Sequence, residues 1–277
     1  MRKLIIIFFT LVFVSCEQEI LNNGLLSNSN KSSSQLLKIS DFNYLGSIHN
    51  LAMDNVQNNF DESLYPSNLP LESKFDVISN FNVQFIDNLA GYENVIDKVE
   101  VTNQVNIHKS LVSNKQLFSY LTDNSSFQNL KLSQMINDLN DNNMIDLFEK
   151  NLILSLVDIS IKNKNGEISN SELEIIINSQ IDKWNMQGYT KNGSYGFISG
   201  EILNISLYSV KYWNHGGYSG EKVAPWVAAD VGGAIWGAAW GGIVGGSWRA
   251  AGVGALGGAI GGSTGIAGRI GKFLLGK

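Results

Sequence analysis

The side chains of this 277-residue chain best suited to acid–base or metal chemistry near neutral pH are its three histidines, His49, His108 and His215, and each stands alone in sequence. No HExxH, CxxC or Walker loop accompanies them, so neither a metal centre nor a phosphate cradle is encoded locally. His215 opens the stretch HGGYSG (215–220), where His-Gly-Gly can shape an oxyanion hole and a serine follows. Acyl-transfer chemistry of that kind also needs a Gly-x-Ser-x-Gly elbow on a strand–turn–helix, which the stretch lacks, so its glycines read as a hinge. Glu172 and Glu174 stand two apart and would point to different sides of a helix, which rules them out as an acid/base pair. The chain reads as non-enzymatic and without a cofactor.

One loop has ligand spacing for a harder cation. NKNGEISNSELEI (163–175) follows the later part of a calcium loop of the EF-hand type, with Asn163 and Asn165 at the third and fifth positions, Gly166 at the sixth, Ile168 at the eighth and Glu172 at the twelfth. Ile161 occupies the first position, so a ligand and its negative charge are missing together and the loop is a degenerate one. The competing reading is a turn at Asn165-Gly166 followed by a helix that Ser169 caps and Glu172 closes as a capping box. Either way, Leu173, Ile176, Ile177, Ile181 and Trp184 then line the inner side of that helix.

The remaining reactive group is Cys16, the only cysteine, which excludes an intrachain disulfide. Arg2 and Lys3 precede an apolar run from Leu4 to Val14, about the length of a signal-peptide core and short for a bilayer span. With Phe13, Val14 and Ser15 before Cys16, the segment resembles a bacterial lipoprotein signal. That resemblance implies cleavage before Cys16 and acylation of it by chains such as palmitate, a lipid attachment that is effectively permanent with two or three chains. Read without it, the same residues allow a buried free thiol or a plain secretory signal. Glu17 and Glu19 follow directly; in some lipoprotein families acids there mark surface export.

Elements must carry these groups, and charge divides them. Two of the 20 basic residues lie in 1–16 and five lie from Lys222 onward, beside the lone acid Asp230. Residues 17–221 therefore hold 13 basic and 24 of the 25 acidic residues, a balance of −11 that argues against nucleic acid as a partner. Residues 17–40 are polar and lack a period, as in a flexible tether. From 41 to 213 the pattern is helical. Leu71, Phe75, Ile78, Phe81 or Asn82, Phe85 and Leu89 form one stripe; Ile145, Phe148, Leu152, Leu156 and Ile159 form another. VEVTNQVNIH (99–108) alternates Val99, Val101, Gln104 and Val105 and reads as a strand or part of a helix. The expectation is a mostly α chain: an acidic helical bundle, a hinge at 214–225, a Gly/Ala-rich helical hairpin at 226–270 and a basic tail at 271–277.

The hairpin rests on glycine. Seventeen of the 28 glycines fall in 222–277, a density that would melt an isolated helix in water but suits close helix contact in lipid. Gly233, Gly237, Gly241 and Gly245 recur every fourth residue, and Gly254, Gly258 and Gly262 do so again, with Gly257, Gly261 and Gly265 alongside. Each row forms a groove on one helix face. Trp248 and Arg249 separate the two parts as interface anchors would, Trp226, Trp236 and Trp240 are expected near lipid, and Asp230 is expected to cap the first helix and face headgroups. Together with Cys16, this ribbon resembles glycine-zipper two-transmembrane lipoproteins; it also looks like the Gly/Ala-rich pore-forming bacteriocins. The first resemblance implies a lipid-anchored envelope protein, in the outer membrane of a Gram-negative bacterium, with membrane lipid as partner and a tail that inserts or forms homo-oligomers. The second implies a tail that permeabilises membranes and a body that restrains it. Without either, the ribbon is disordered or packs as a close hairpin on the body.

Overall fold

Apolar stripes at helical spacing become helices wherever the chain is described. The computed structural model describes residues 35–92, 98–99, 101–102, 126–215, 224–245, 248–264 and 273, with some side chains inside the helices left out. The signal segment with Cys16, His108, and the hinge residues 216–223 lie outside the described residues. The described residues are mostly helical and contain no strand. Among the described residues, eight α-helices have defined bounds: α1 (Asn43–Asn59), α2 (Leu71–Asn88), α3 (Ser126–Asp141), α4 (Leu147–Lys164), α5 (Asn170–Asn185), α6 (Phe197–His215), α7 (Ala224–Gly245) and α8 (Trp248–Thr264). Val99 and Val101 are helical, not extended, and only Val101 is buried; Gln104 and Val105 lie outside the described residues.

The tether expected over 17–40 is shorter at its C-terminal end. Leu37 is buried, its N–H bonds to the Tyr189 carbonyl at 2.8 Å, and the Lys191 N–H bonds to the Gln35 carbonyl at 2.9 Å. A turn of 3₁₀ helix (Ile39–Phe42) then leads into α1.

Helix ends are set by local chemistry. At α4, Asp146 and Glu149 satisfy each other's backbone N–H groups in a capping box, and at α5 Ser169 and Glu172 do the same. The α4–α5 turn is closed by Gly166 at φ 75°, a left-handed conformation that favours glycine. The expected stripes are largely core: Ile78, Asn82 and Leu89 are buried, as are Ile145, Leu152, Leu156, Ile159, Leu173, Ile177, Ile181 and Trp184, and Ile86, outside the expected stripe, is buried beside Phe85. Phe81, Phe85, Phe148 and Ile176 are half-buried, while the side chains of Leu71 and Phe75 are not described.

Two helices form the centre. On α6, every residue from Phe197 to Leu207 is buried, and α7 packs against α3, α4, α6 and α8. Where α1 crosses α6, a Cβ on Gly46 would overlap the Tyr208 ring and stand 2.7 Å from its Cβ, so only glycine permits that approach. The Asn204 side chain accepts from the Gly46 N–H at 3.2 Å and donates to Asn43 Oδ1 at 2.9 Å, tying the first turn of α1 to α6.

The glycine ribbon is a helical hairpin, but it is wrapped by the body. Residues 35–277 fall in one compact unit. Val227 and Ala229 to Ile235, Gly237 to Ala239, and Gly241 and Gly242 are all buried. The two glycine rows face each other in antiparallel register. An added Cβ would meet the carbonyl carbon of Gly258 from Gly233 at 2.8 Å, of Gly254 from Gly237 at 2.6 Å and of Ala250 from Gly241 at 2.9 Å. The side chains of Trp226, Trp236, Trp240, Trp248 and Arg249 are not described, nor is the surround of Gly245 and Gly262, while Gly265 lies outside the described residues.

The transmembrane expectation is corrected here. Among the described residues, no helix is long and apolar enough to cross a membrane. Glycine and alanine carry little transfer free energy, and Asp230 places a carboxylate inside the otherwise apolar α7. In the expected basic tail, the one described residue, Phe273, is buried in a small cluster with Val56, Phe60 and Ile78. Lys74 donates to its carbonyl at 2.7 Å and lies 5.3 Å from its ring centroid.

Candidate functional site

The polar chemistry of the described residues is concentrated in two buried clusters on α6, one against the hairpin and one against α4 and α5. Asp230 centres the first. It accepts through Oδ2 from Ser209 Oγ at 2.5 Å and from Trp213 Nε1 at 2.9 Å, both on α6, and lies 3.3 Å from His49 Nε2 on α1. His49 and Asp230 are both fully buried. Burial alone would lower the His49 pKa, but the Asp230 charge and hydrogen bond outweigh it and raise it above the usual histidine value. The ion pair joins α1 to α7, and the Ser209 and Trp213 hydrogen bonds add α6, all in a low-dielectric interior.

This placement corrects the headgroup-facing role expected for Asp230. The helix begins at Ala224, so Asp230 lies in its second turn, with no cap to provide, and three donors from α1 and α6 enclose it. The trio Ser209, His49 and Asp230 has the residue types of a hydrolase triad but the wrong order. In a triad the imidazole stands between serine and carboxylate; here the carboxylate stands between, and the serine proton goes to it. The arrangement clamps helices together.

Glu149 centres the second cluster. Its Oε2 accepts from the Asp146 N–H at 3.0 Å as part of the α4 capping box, and its Oε1 accepts from Ser199 Oγ at 2.7 Å. Ser199 in turn accepts from Trp184 Nε1 at 2.9 Å, and Tyr189 donates to Asp146 Oδ2 at 2.9 Å. Burial pushes the Glu149 carboxyl up to about 7 against the pull of these hydrogen bonds. Burial, and after it the charge of Glu149, pushes Glu201 well above the carboxylate range. Glu201 sits against α8: a Cβ on Gly252 would come within 2.7 Å of its carboxyl carbon, so the glycine makes room for the acid.

The residues singled out in sequence are dispersed. Glu172 accepts from the Ser169 N–H at 2.7 Å, and Asn163 is buried with its amide donating to the Ile168 carbonyl at 3.1 Å and to Asn170 Oδ1 at 2.9 Å. Asn165 is exposed at the α4 C-terminus. The loop at 163–175 is therefore built as the capped turn, with Glu172 engaged by its own helix. Glu174 points elsewhere, accepting from Asn214 Nδ2 at 3.2 Å. Among the described residues, no group of three or more His, Cys, Asp or Glu side chains has metal-binding geometry. The clusters at Asp230 and Glu149 were not anticipated as sites. The Asp146–Glu149 capping spacing is legible in the sequence; the burial of Glu149 and of Asp230 is not.

No known protein family, curated protein or solved structure matches this chain. Its function must therefore be argued from its own residues.

Proposed function

We propose that the chain is a non-enzymatic lipoprotein of a bacterial cell envelope, tethered to the outer membrane of a Gram-negative cell through acylated Cys16, with an all-helical body that uses its glycine ribbon as an internal packing hairpin. The observation that carries this reading is the burial of α7 among α3, α4, α6 and α8. With that surface engaged inside the fold, the membrane attachment falls to the lipid on Cys16, where two or three acyl chains suffice. Intact mass of the mature N-terminus tests it: a diacyl or triacyl Cys16 is expected, and Cys16→Ala is expected to leave the membrane fraction on carbonate extraction. An unmodified N-terminus, or a Cys16→Ala chain that stays in the membrane, refutes it.

A second reading is favoured by one observation: the Asp230 clamp joins the glycine hairpin to α1 and α6 through polar contacts that could exchange for water and headgroups. In that reading the body restrains a hairpin that permeabilises a membrane once released. Leakage from dye-loaded vesicles given the mature chain distinguishes the two; intact vesicles at every lipid composition eliminate the second.

A further inference from the structure

Seven large apolar side chains stay exposed among the described residues, and three of them, Leu36, Leu147 and Met186, lie at the same end of the α4–α5 pair. The register of α4 against α5 places them. Asn163 bonds to Asn170 beside the turn, Gln180 reaches Ser155 midway at 3.2 Å, and Tyr189 reaches Asp146 at the far end at 2.9 Å. That antiparallel register sets Leu147, the first residue of α4, level with Met186, just past the end of α5. Leu36 joins them because it bridges to Thr190 within the paired segments Gln35–Leu37 and Tyr189–Lys191. Met186 is 83% exposed, Leu147 64% and Leu36 53%, an unusual degree for side chains of this kind at one site.

Charge at this end differs from that of the rest of the acidic body. Lys38, Lys183 and Lys191 are exposed here. Of the local acids, Asp41 is held by Lys191 Nζ at 3.0 Å and by the Lys38 N–H at 2.9 Å, Asp146 is held by Tyr189 and by the Glu149 N–H, Glu149 is buried, and Asp182 is exposed. Apolar tips beside exposed lysines suit a bilayer interface, where the stems lie on the apolar surface and the ammonium groups of Lys38 and Lys183 reach lipid phosphates.

We propose that this end, Leu36, Leu147 and Met186 with Lys38, Lys183 and Lys191 around them, is the face on which the body rests against the bilayer that holds Cys16. The proposal depends on the lipid-anchored reading. Gln35 lies at this face, and only 18 residues of sequence separate it from Cys16, a stretch of chain no longer than about 65 Å. A short leash raises the effective concentration of surface and lipid, so a small apolar contact is occupied without strong intrinsic affinity.

Acylation consumes the only native cysteine, so an introduced one can be labelled alone. Full-length acylated chains carrying Met186→Cys or Glu167→Cys are labelled with a nitrobenzoxadiazole dye and reconstituted into phosphatidylethanolamine/phosphatidylglycerol vesicles containing doxyl lipids. Glu167 is exposed in the turn at the opposite end of α5, about 25 Å away along a helix rising 1.5 Å per residue. The expected result is a blue shift at position 186 and quenching at least about twofold stronger than at 167, as for a side chain at the acyl boundary. Co-sedimentation with equal quenching at both positions overturns the docking face and leaves the anchor standing. A blue shift at 186 that grows with protein concentration and resists doxyl quenching also overturns it, because the face then pairs two copies. Failure of the unlabelled chain to sediment with vesicles overturns both readings.

Discussion

Alanine at Gly237 and at Gly242 separates backbone contact from helix propensity within a single helix. Both substitutions favour the helical state by about 1 kcal/mol, because alanine loses less backbone entropy than glycine. At Gly237 the new Cβ would stand 2.6 Å from the Gly254 carbonyl carbon and 3.1 Å from the Gly258 Cα, with the Gly254 oxygen nearer still. These are backbone atoms of a buried helix and cannot rotate away, so α7 and α8 must part by most of an ångström to reach ordinary contact. The neighbouring contacts of Gly233 and Gly241 lie in the same seam and open with it, and a gap of 0.5–1 Å forfeits roughly a quarter to a half of each van der Waals well. Overpacking costs about 1–3 kcal/mol and, with the whole seam opening, falls at the upper end here, leaving Gly237→Ala destabilised by a net ~1–2 kcal/mol. At Gly242 the new Cβ would meet only the ends of flexible side chains, Leu139 Cδ2 and Met144 Cε, both at 3.1 Å. A few tenths of an ångström of rotamer adjustment accommodates it, so Gly242→Ala should fall within about 0.5 kcal/mol of the parent or above it. Urea unfolding of the purified mature chain, followed by far-ultraviolet circular dichroism, reads the difference as a shift in midpoint at constant slope. If Gly237→Ala proves as stable as Gly242→Ala, the close backbone seam is not what the glycines are for.

Three further perturbations address the polar clusters. Glu149 has its carboxyl raised from 4.5 to about 7 by burial, so the fold binds its proton more tightly than the unfolded chain does. Its contribution is fully present below the unfolded value and is lost as pH rises through about 7; a shift of that size amounts to roughly 3 kcal/mol. Glu201 and His49, both raised, act in the same direction. Urea midpoints should therefore fall between about pH 5 and pH 8, with a shallower fall in Glu149→Gln, and a midpoint that climbs over this window contradicts the assignment. Asp230→Ala leaves His49 buried without its counter-charge and should cost about 3–5 kcal/mol in the same assay, whereas a loss below 1 kcal/mol would mean that the clamp contributes little. Ser169→Ala removes the α5 cap and should lower stability by about 1 kcal/mol, while millimolar calcium should leave the melting temperature of the parent unchanged; a rise with calcium would restore the cation reading of that loop.

The hairpin and the Asp230 clamp are complementary. A seam made of glycine and alanine gains closeness but offers few distinctive knobs to fix its rotation within the bundle. One buried ion pair with two hydrogen-bond donors supplies direction, because any rotation of α7 would strand a carboxylate among apolar side chains at a cost of several kcal/mol. Glu201 opposite Gly252 works similarly at α8, where only the missing Cβ admits the acid.

Much of the secondary structure was legible from sequence because its causes are local. The stripes at Ile78–Leu89, Ile145–Ile159 and Leu173–Trp184, the caps at Ser169 and the Asn165-Gly166 turn all depend on residues within a helical turn of one another, and each forms. The glycine rows at 233–241 and 254–258 likewise announced two helices made to touch, and they do. What surrounds that pair could not be read locally. Sequence alone left lipid or body as the other side, since both are apolar and a glycine groove fits either. Tertiary structure decides it by bringing His49, Ser209 and Trp213, from residues far apart in the chain, around Asp230, and by closing α3, α4 and α6 over α7. The same holds for Glu149 and Glu201: nothing in their neighbours along the chain marks them as buried, and their raised proton affinities come from desolvation that exists only once α4, α6 and α8 are assembled. Sequence by itself determined where helices begin, end and present small or apolar faces, because propensity and capping act over a few residues; which faces meet, and which acids lose their water, only the assembled fold decided, because desolvation is a property of everything packed around a group.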